Sequence, residues 1–478
     1  SGPAGINNII SRITGGSASN IDGAINSSIA GANLFMINPG GIIFGPNASL
    51  NVSGSFHAST AGYLVLADGG RFDAVAPGNS VLTSAPPSAF GFLGSPAPLS
   101  VTDTRLQVAN GETLTLVGGD VSTQDAQLYA PEGTVQVASV GAAGEVDVDV
   151  SSLDTGSYGQ MGTIDISHPG SVGSRFLAGV GFVGNLDASG AEGGTIVIRG
   201  GQIQLDKALV FADSKQAGSG RVDIGVSGLV HAVNGSTVSA DHRGTGAGGT
   251  VTVTAGQVLL EDGGRLQAGN FTANTGGHVI VVADSVTIDG KSDPSIALIG
   301  NQESGLFTAA FGSGGSGDIT VNADTVSVAG GGAIDLNAGA AGGNGGALLV
   351  TADRVELHDE GTVRVNTFGS GDAGSVALNI DRLDITSGGS IATQSLGAGM
   401  AGTIDITAGS SVTVSGTGAV NPVTNEPVRS GVFSNAFSTG NGGQITIHAP
   451  DISVDDGAAI EAGVGVSPEL PGLPPASA

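Results

Sequence analysis

The sequence predicts an all-β fold, a right-handed parallel β-helix (β-solenoid) with three strands per coil and about 28 residues per coil. Three observations carry that prediction. Glycine recurs at near-constant spacing ahead of short apolar alternations; the alternation has period two; and a second and third alternation follow at fixed offsets within each interval.

The anchors are Gly133, Gly162, Gly194, Gly220, Gly249, Gly277, Gly317, Gly346, Gly374, Gly402 and Gly443. After every one, the residues two and four places on are apolar, as in Val251/Val253, Ile319/Val321 and Ile445/Ile447. Period two on one side means a strand with one buried face. A second pair follows in most intervals (Val286/Ile288, Val355/Leu357, Leu383/Ile385), then a third (Leu266/Ala268, Ile334/Leu336, Val363/Val365). Three short strands with glycine at the corners, stacked coil on coil, make a solenoid, because no single coil can bury its own apolar face. A β-sandwich of similar strands is the alternative, and sandwiches seldom hold such a register for so long.

Two intervals are longer, from Gly277 to Gly317 and from Gly402 to Gly443, and they resemble each other. Ser304-Gly305-Leu306-Phe307 through Phe311 matches Ser430-Gly431-Val432-Phe433 through Phe437. Phe307, Phe311, Phe433 and Phe437 are therefore expected on insertions that leave the coils on the same side, as candidate lateral contacts with a neighbouring copy or a host surface. The expected organisation is a first β-helix segment over 1–140, a repetitive solenoid over 141–465 and a Pro-rich tail over 466–478.

Composition narrows the function classes. Of 478 residues 85 are Gly, none is Cys or Trp, and Lys plus Arg number 15 against 42 Asp plus Glu, a net charge of −27. Only three residues are Lys, so the clustered cations that neutralise phosphates are missing and nucleic acid is excluded as a partner. Without cysteine there is no disulfide framework, thiolate metal site or thiol nucleophile. Ser1 to Ile10 does not read as a signal peptide.

The segment Asn38 to Ala61 reads NPGGIIFGPNASLNVSGSFHASTA, preceded by NIISRITGGSASNIDG at Asn8 to Gly23 and followed by ADGGRFDA at Ala67 to Ala74 and ETLTLVGGDVS at Glu112 to Ser122. Asn38, Pro39, Gly40 and Gly41 form a turn signal that enters a strand at Ile42, with a second turn at Gly45-Pro46-Asn47. These strings resemble the N-terminal secretion domain of the filamentous haemagglutinin family, large exoproteins exported by two-partner secretion. The family usually has Asn-Pro-Asn-Gly where this chain has Asn38-Pro39-Gly40-Gly41. The resemblance implies an outer-membrane secretion pore as partner of the precursor, and a secreted, extracellular or cell-surface location in a bacterium with an outer membrane.

Catalytic and metal signatures are sparse. The seven His residues have no metal-ligand spacing, and Gly290-Lys291-Ser292 lacks the glycine a phosphate loop requires, Ser285 standing in its place. Asp241/His242 and His358/Asp359 are expected to be solvated corner residues, and Arg199, Arg221, Arg243 and Arg265 to balance acidic neighbours on solvated faces. Glu145, Asp147 and Asp149 form an acidic alternation able to attract divalent cations adventitiously. No cofactor, no resident metal and no catalytic residue is expected. The function this sequence predicts is a secreted, non-enzymatic surface protein, an adhesin or an extracellular matrix or filament element, with head-to-tail or lateral self-association. The alternative is a polysaccharide-degrading β-helix enzyme, disfavoured by the scarcity of aromatic sugar platforms.

Overall fold

The computed structural model describes residues 5–169, 176–177, 181–182, 184–293, 303–421 and 425–465. The Pro-rich tail expected over 466–478 lies outside the described residues. The described residues contain no α-helix, only two 3-10 turns, at Pro77–Asn79 and Val150–Ser152. The chain is a parallel β-helix, and it divides into two compact units. One comprises Ser1–Ala212, Arg221–His231 and Thr254–Gly256; the other comprises Asp213–Gly220, Ala232–Val253 and Gln257–Ala478.

In the first unit one face runs through Asn8–Arg12, Asn33–Ile37, Phe56–Ser59, Thr113–Gly118, Thr134–Ser139 and Thr195–Gly200, each parallel to the last. A second face runs through Ser19–Ile21, Ile42–Phe44, Leu99–Thr102, Val121–Gln124 and Thr163–Ser167. The third is shorter, with Arg105–Gln107, Gln127–Tyr129 and Leu186–Asp187. Ile42, Phe44, Phe56, Leu99, Leu106, Leu114 and Leu128 are wholly inaccessible inside.

Two departures from the sequence expectation occur here. Gly162 does not begin the same face as Gly133 and Gly194: Thr134 pairs with Thr195, whereas Thr163–Ser167 belongs to the second face. Period-two alternation marks a strand with one buried side and carries no information on which side of the coil it occupies. The residues saved from that coil, and those between Ser59 and Leu99, build an antiparallel sheet that the parallel pattern did not predict. Its strands are Tyr63–Leu66, Arg71–Asp73, Pro87–Phe92 and Gly144–Asp147. Outward residues of the first face, Phe35, Val117, Ala138 and Val197, pack with Leu64, Phe90, Phe92 and Val146 of that sheet in a second core outside the coils.

The second unit is more regular. His278 faces Asp318, Ile319 faces Leu348, Ala347 faces Ser375 and Ser375 faces Thr403, so successive coils are 40, 29, 28 and 28 residues apart. Val251, Val253, Val279, Val281, Ile319 and Val321 are buried, as the alternation predicts. Its third face comprises Arg265–Gln267, Gly305–Ala310, Ala333–Ala338, Thr362–Thr367, Ser390–Ser395, Gly431–Ala436 and Ala459–Val464. Phe307 and Phe433 therefore sit within coil strands and not on the insertions. The additional residues precede them, between Lys291 and Glu303 and in the antiparallel pair Thr417–Val420 and Pro427–Arg429.

One corner is a column of glycines. A Cβ on Gly277 would run into the carbonyl oxygen of Gly249, one on Gly317 into that of Gly277, and the same contact recurs from Gly346 through Gly374 and Gly402 to Gly443. Close backbone approach at the corner, and not positive φ, is what requires glycine there.

Candidate functional site

The Asn38 turn is built from one buried amide. Asn38 is wholly inaccessible. Its Nδ2 donates to the Ser17 carbonyl (3.0 Å) and to Ser19 Oγ (2.8 Å), and its Oδ1 accepts the Gly40 amide (2.9 Å). Its backbone N–H donates to the Ser59 carbonyl (2.9 Å), and the Gly41 amide closes the turn on the Asn38 carbonyl (3.1 Å). One side chain thus ties the coil before it to its own turn, while its backbone holds the coil after it. Gly41 takes φ +109°, which favours glycine, and a Cβ on Gly40 would come within 2.7 Å of the Ser17 carbonyl carbon. In this packing Gly40 fills the place where the family pattern carries Asn because no side chain fits. Pro39 occupies the turn and Ile42, fully buried, opens the next strand.

The second turn is held by Asp22, whose Oδ1 accepts the Asn47 amide (2.8 Å) and whose Oδ2 accepts from Asn47 Nδ2 (3.1 Å). The backbone and then the side-chain hydrogen bond of Asn47 hold the Asp22 carboxyl below its ordinary pKa. Deeper in the unit, His57 donates to or accepts from Thr115 Oγ1 (3.0 Å), Thr115 donates to Gln136 Oε1 (3.0 Å), and Gln136 donates to Asp149 (3.0 Å). Burial alone depresses the His57 pKa to about 4. The acidic alternation is divided among separate partners: Glu145 accepts from Tyr63 (2.9 Å), Asp147 from Ser152 (2.8 Å) and Asp149 from Gln136.

In the second unit the side chains stack in columns. Backbone bonds from Phe271, Phe311, Gly339, Phe368, Leu396 and Phe437 to the coil before each set these six residues in one outward column. Phe311 is 59% exposed and Phe368 46%. Phe271 and Phe311 stack at 4.8 Å, with planes 18° apart. Phe311 and Phe437 share this column, as Phe307 and Phe433 share another, and the two members of each sequence pair differ in exposure. Phe307 lies under Arg265 (3.8 Å) and Phe433 under Arg429 (5.7 Å), both buried. Sequence reasoning missed Phe271, Phe368 and Leu396 because each falls in an interval of ordinary length, with nothing local to mark it.

Two expectations about charged residues are overturned. Asp241 and His242 are buried, not solvated: Asp241 accepts from the Gly269 amide (2.7 Å) and Gln267 (2.8 Å), and His242 Nδ1 meets Ser214 Oγ. Coil stacking places residue 242 on the inward side between Ser214 and Asn270, a relation invisible in linear sequence. Arg199 is likewise buried, paired with Asp223 at 3.0 Å. His358 and Asp359 do form an exposed pair, 2.9 Å apart.

Residues 1–198 match the family model of the TPS secretion domain. The chain thus matches a two-partner secretion exoprotein with an N-terminal secretion domain. Such a domain marks a protein secreted across the outer membrane to the extracellular space or cell surface, with an outer-membrane transporter as its partner. No curated protein matches the chain.

Proposed function

We propose that this exoprotein acts without enzymatic chemistry as a surface protein, an adhesin or a structural element of an extracellular matrix or filament, and that it associates laterally through its apolar column. The observation that carries this reading is the register of Phe271, Phe311, Phe368, Leu396 and Phe437 along one side of the second unit. An apolar column that recurs from coil to coil, interrupted at Gly339, is matched in spacing by the same column on a second copy. Covering each exposed phenyl contributes about 1.5–3 kcal/mol at most, and small gains repeated in register add up to a stable contact.

Sedimentation velocity across a concentration series tests it. The wild-type chain associates as concentration rises, and the Phe368→Ser/Phe437→Ser variant stays monomeric with unchanged circular dichroism. A wild-type chain monodisperse at every concentration, or a variant that associates equally well, overturns the lateral contact. Release of reducing ends from a polysaccharide by the purified chain overturns the non-enzymatic assignment.

A further inference from the structure

At the Phe271 end of the column the third face opens into a groove of about 540 Å³. In a chain with 15 Lys and Arg, the cations Arg243, Arg265 and Lys291 all line this one groove. Arg243 lies over the Phe271 ring (4.4 Å) and Arg265 over Phe307 (3.8 Å). Neither guanidinium has a hydrogen-bonded partner among the described residues, and Arg265 Nε is buried. Burial disfavours the Arg265 charge, and Asp335, Glu303 and Asp241 lie near enough to support it electrostatically, but the hydrogen bonds these carboxylates make go to other groups. Arg364 holds Glu303 at 2.5 Å and Asp335 at 2.9 Å, and Lys291 approaches Glu303 at 3.5 Å. Burial opposes ionisation of Glu303, but Arg364 and Lys291 outweigh it and leave its carboxyl below the usual range.

The groove also carries unused acceptors. Asp335 is 7% exposed, and its Oδ1, like Asn337 Oδ1, is buried with no hydrogen-bond partner among the described residues. A buried acceptor left unpaired is destabilising, and a donor from a bound molecule relieves that cost. Three demands therefore meet here: hydroxyl donors for the two acceptors, an anion for the two guanidiniums, and a C–H surface for the exposed ring of Phe311, Phe271 being covered by Arg243 and by Phe311 itself. Sulfate lacks the hydroxyls, sulfate and phosphate both lack the apolar face, and a neutral sugar lacks the charge.

We propose that this groove binds a carboxylated saccharide, its carboxylate on Arg243 and Arg265, its hydroxyls donating to Asp335 and Asn337, and its pyranose face along the Phe311 ring. The inference deepens the surface-protein reading by naming what the chain holds, and rests on that reading only for where the saccharide is met. Titration calorimetry of the full chain with tetragalacturonate, with uncharged galactotetraose as control, tests it. The uronate binds and the neutral sugar does not; Arg243→Ala and Asn337→Ala each weaken binding about tenfold or more while circular dichroism stays unchanged. No heat with the uronate, equal affinity for the neutral sugar, or unchanged affinity in both variants overturns the site. Phe368 and Phe437 do not line the groove. Their double variant keeps uronate binding even where self-association is lost, so the two readings fail separately.

Discussion

The imidazole of His57 lies flat on the ring of Phe35, centroids 4.3 Å apart and planes 12° from parallel. A ring stacked there, 5% exposed and with Nδ1 beside Thr115, has no room for the hydration of a second proton. Its pKa falls from an unfolded value of 6.5 to about 4 in the folded chain. Between those values the unfolded chain binds the extra proton and the folded chain does not. The contribution is complete above pH 6.5 and is lost as pH falls towards about 4, amounting to roughly 3 kcal/mol. Urea denaturation at about pH 7 and about pH 4, for wild type and His57→Gln, checks this. The wild type loses more stability on acidification than the variant; equal losses refute the assignment.

Asn38→Ala removes two donors and an acceptor from a wholly buried turn. The Ser17 carbonyl and the Gly40 amide lose their partner, at a cost of about 2–3 kcal/mol. Gly40→Asn, which restores the family's usual string, is expected to destabilise by about 1–3 kcal/mol because its Cβ meets the Ser17 backbone. Thermal melts of the two variants read both effects, and a Gly40→Asn chain as stable as wild type would contradict the turn geometry.

Val251 is wholly buried, while its neighbour Thr252 is half-buried and points the other way. Val251→Asp should cost about 4 kcal/mol or more, since an ionised carboxylate in the stacked column has no partner. Thr252→Asp should stay within about 1 kcal/mol. Chemical denaturation of the pair checks the register directly, and similar losses at both positions would place the strand in the wrong phase.

His242→Ala leaves Ser214 Oγ without its partner inside the coil and opens a cavity, so about 2–4 kcal/mol is lost. His358→Ala breaks only an exposed pair and should change stability by about 0.5 kcal/mol or less. Equal melting temperatures for the two variants would show that residue 242 is solvated after all.

Much of the second unit was legible because one rule repeats. A glycine followed by Val376 and Leu378, or by Ile404 and Ile406, states the inward side of a strand with no help from elsewhere. What escaped was everything decided by neighbours in adjacent coils. Gly162 announces a strand as plainly as Gly133, and only pairing to Val121–Gln124 reveals which face it joins. Phe72 and Phe90 sit in the antiparallel sheet over an outward face, a placement that depends on Phe35 and Val117 being outward and apolar. The groove draws Arg243, Arg265 and Lys291 from three coils, and its unpaired acceptors Asp335 and Asn337 from a fourth. Such a gathering has no signature at any single sequence spacing.

The glycine corner gives the second unit a grammar for change. From Gly249 to Gly443 each member presents to the next coil the same carbonyl that it meets from the one before, so a methyl group added at any position is resisted on its neighbour's backbone. A whole coil removed or duplicated leaves an identical junction behind. Point substitution at this corner is therefore costly and coil-length editing cheap, which makes the number of coils, and with it the length of any side-chain column they carry, the property most open to variation.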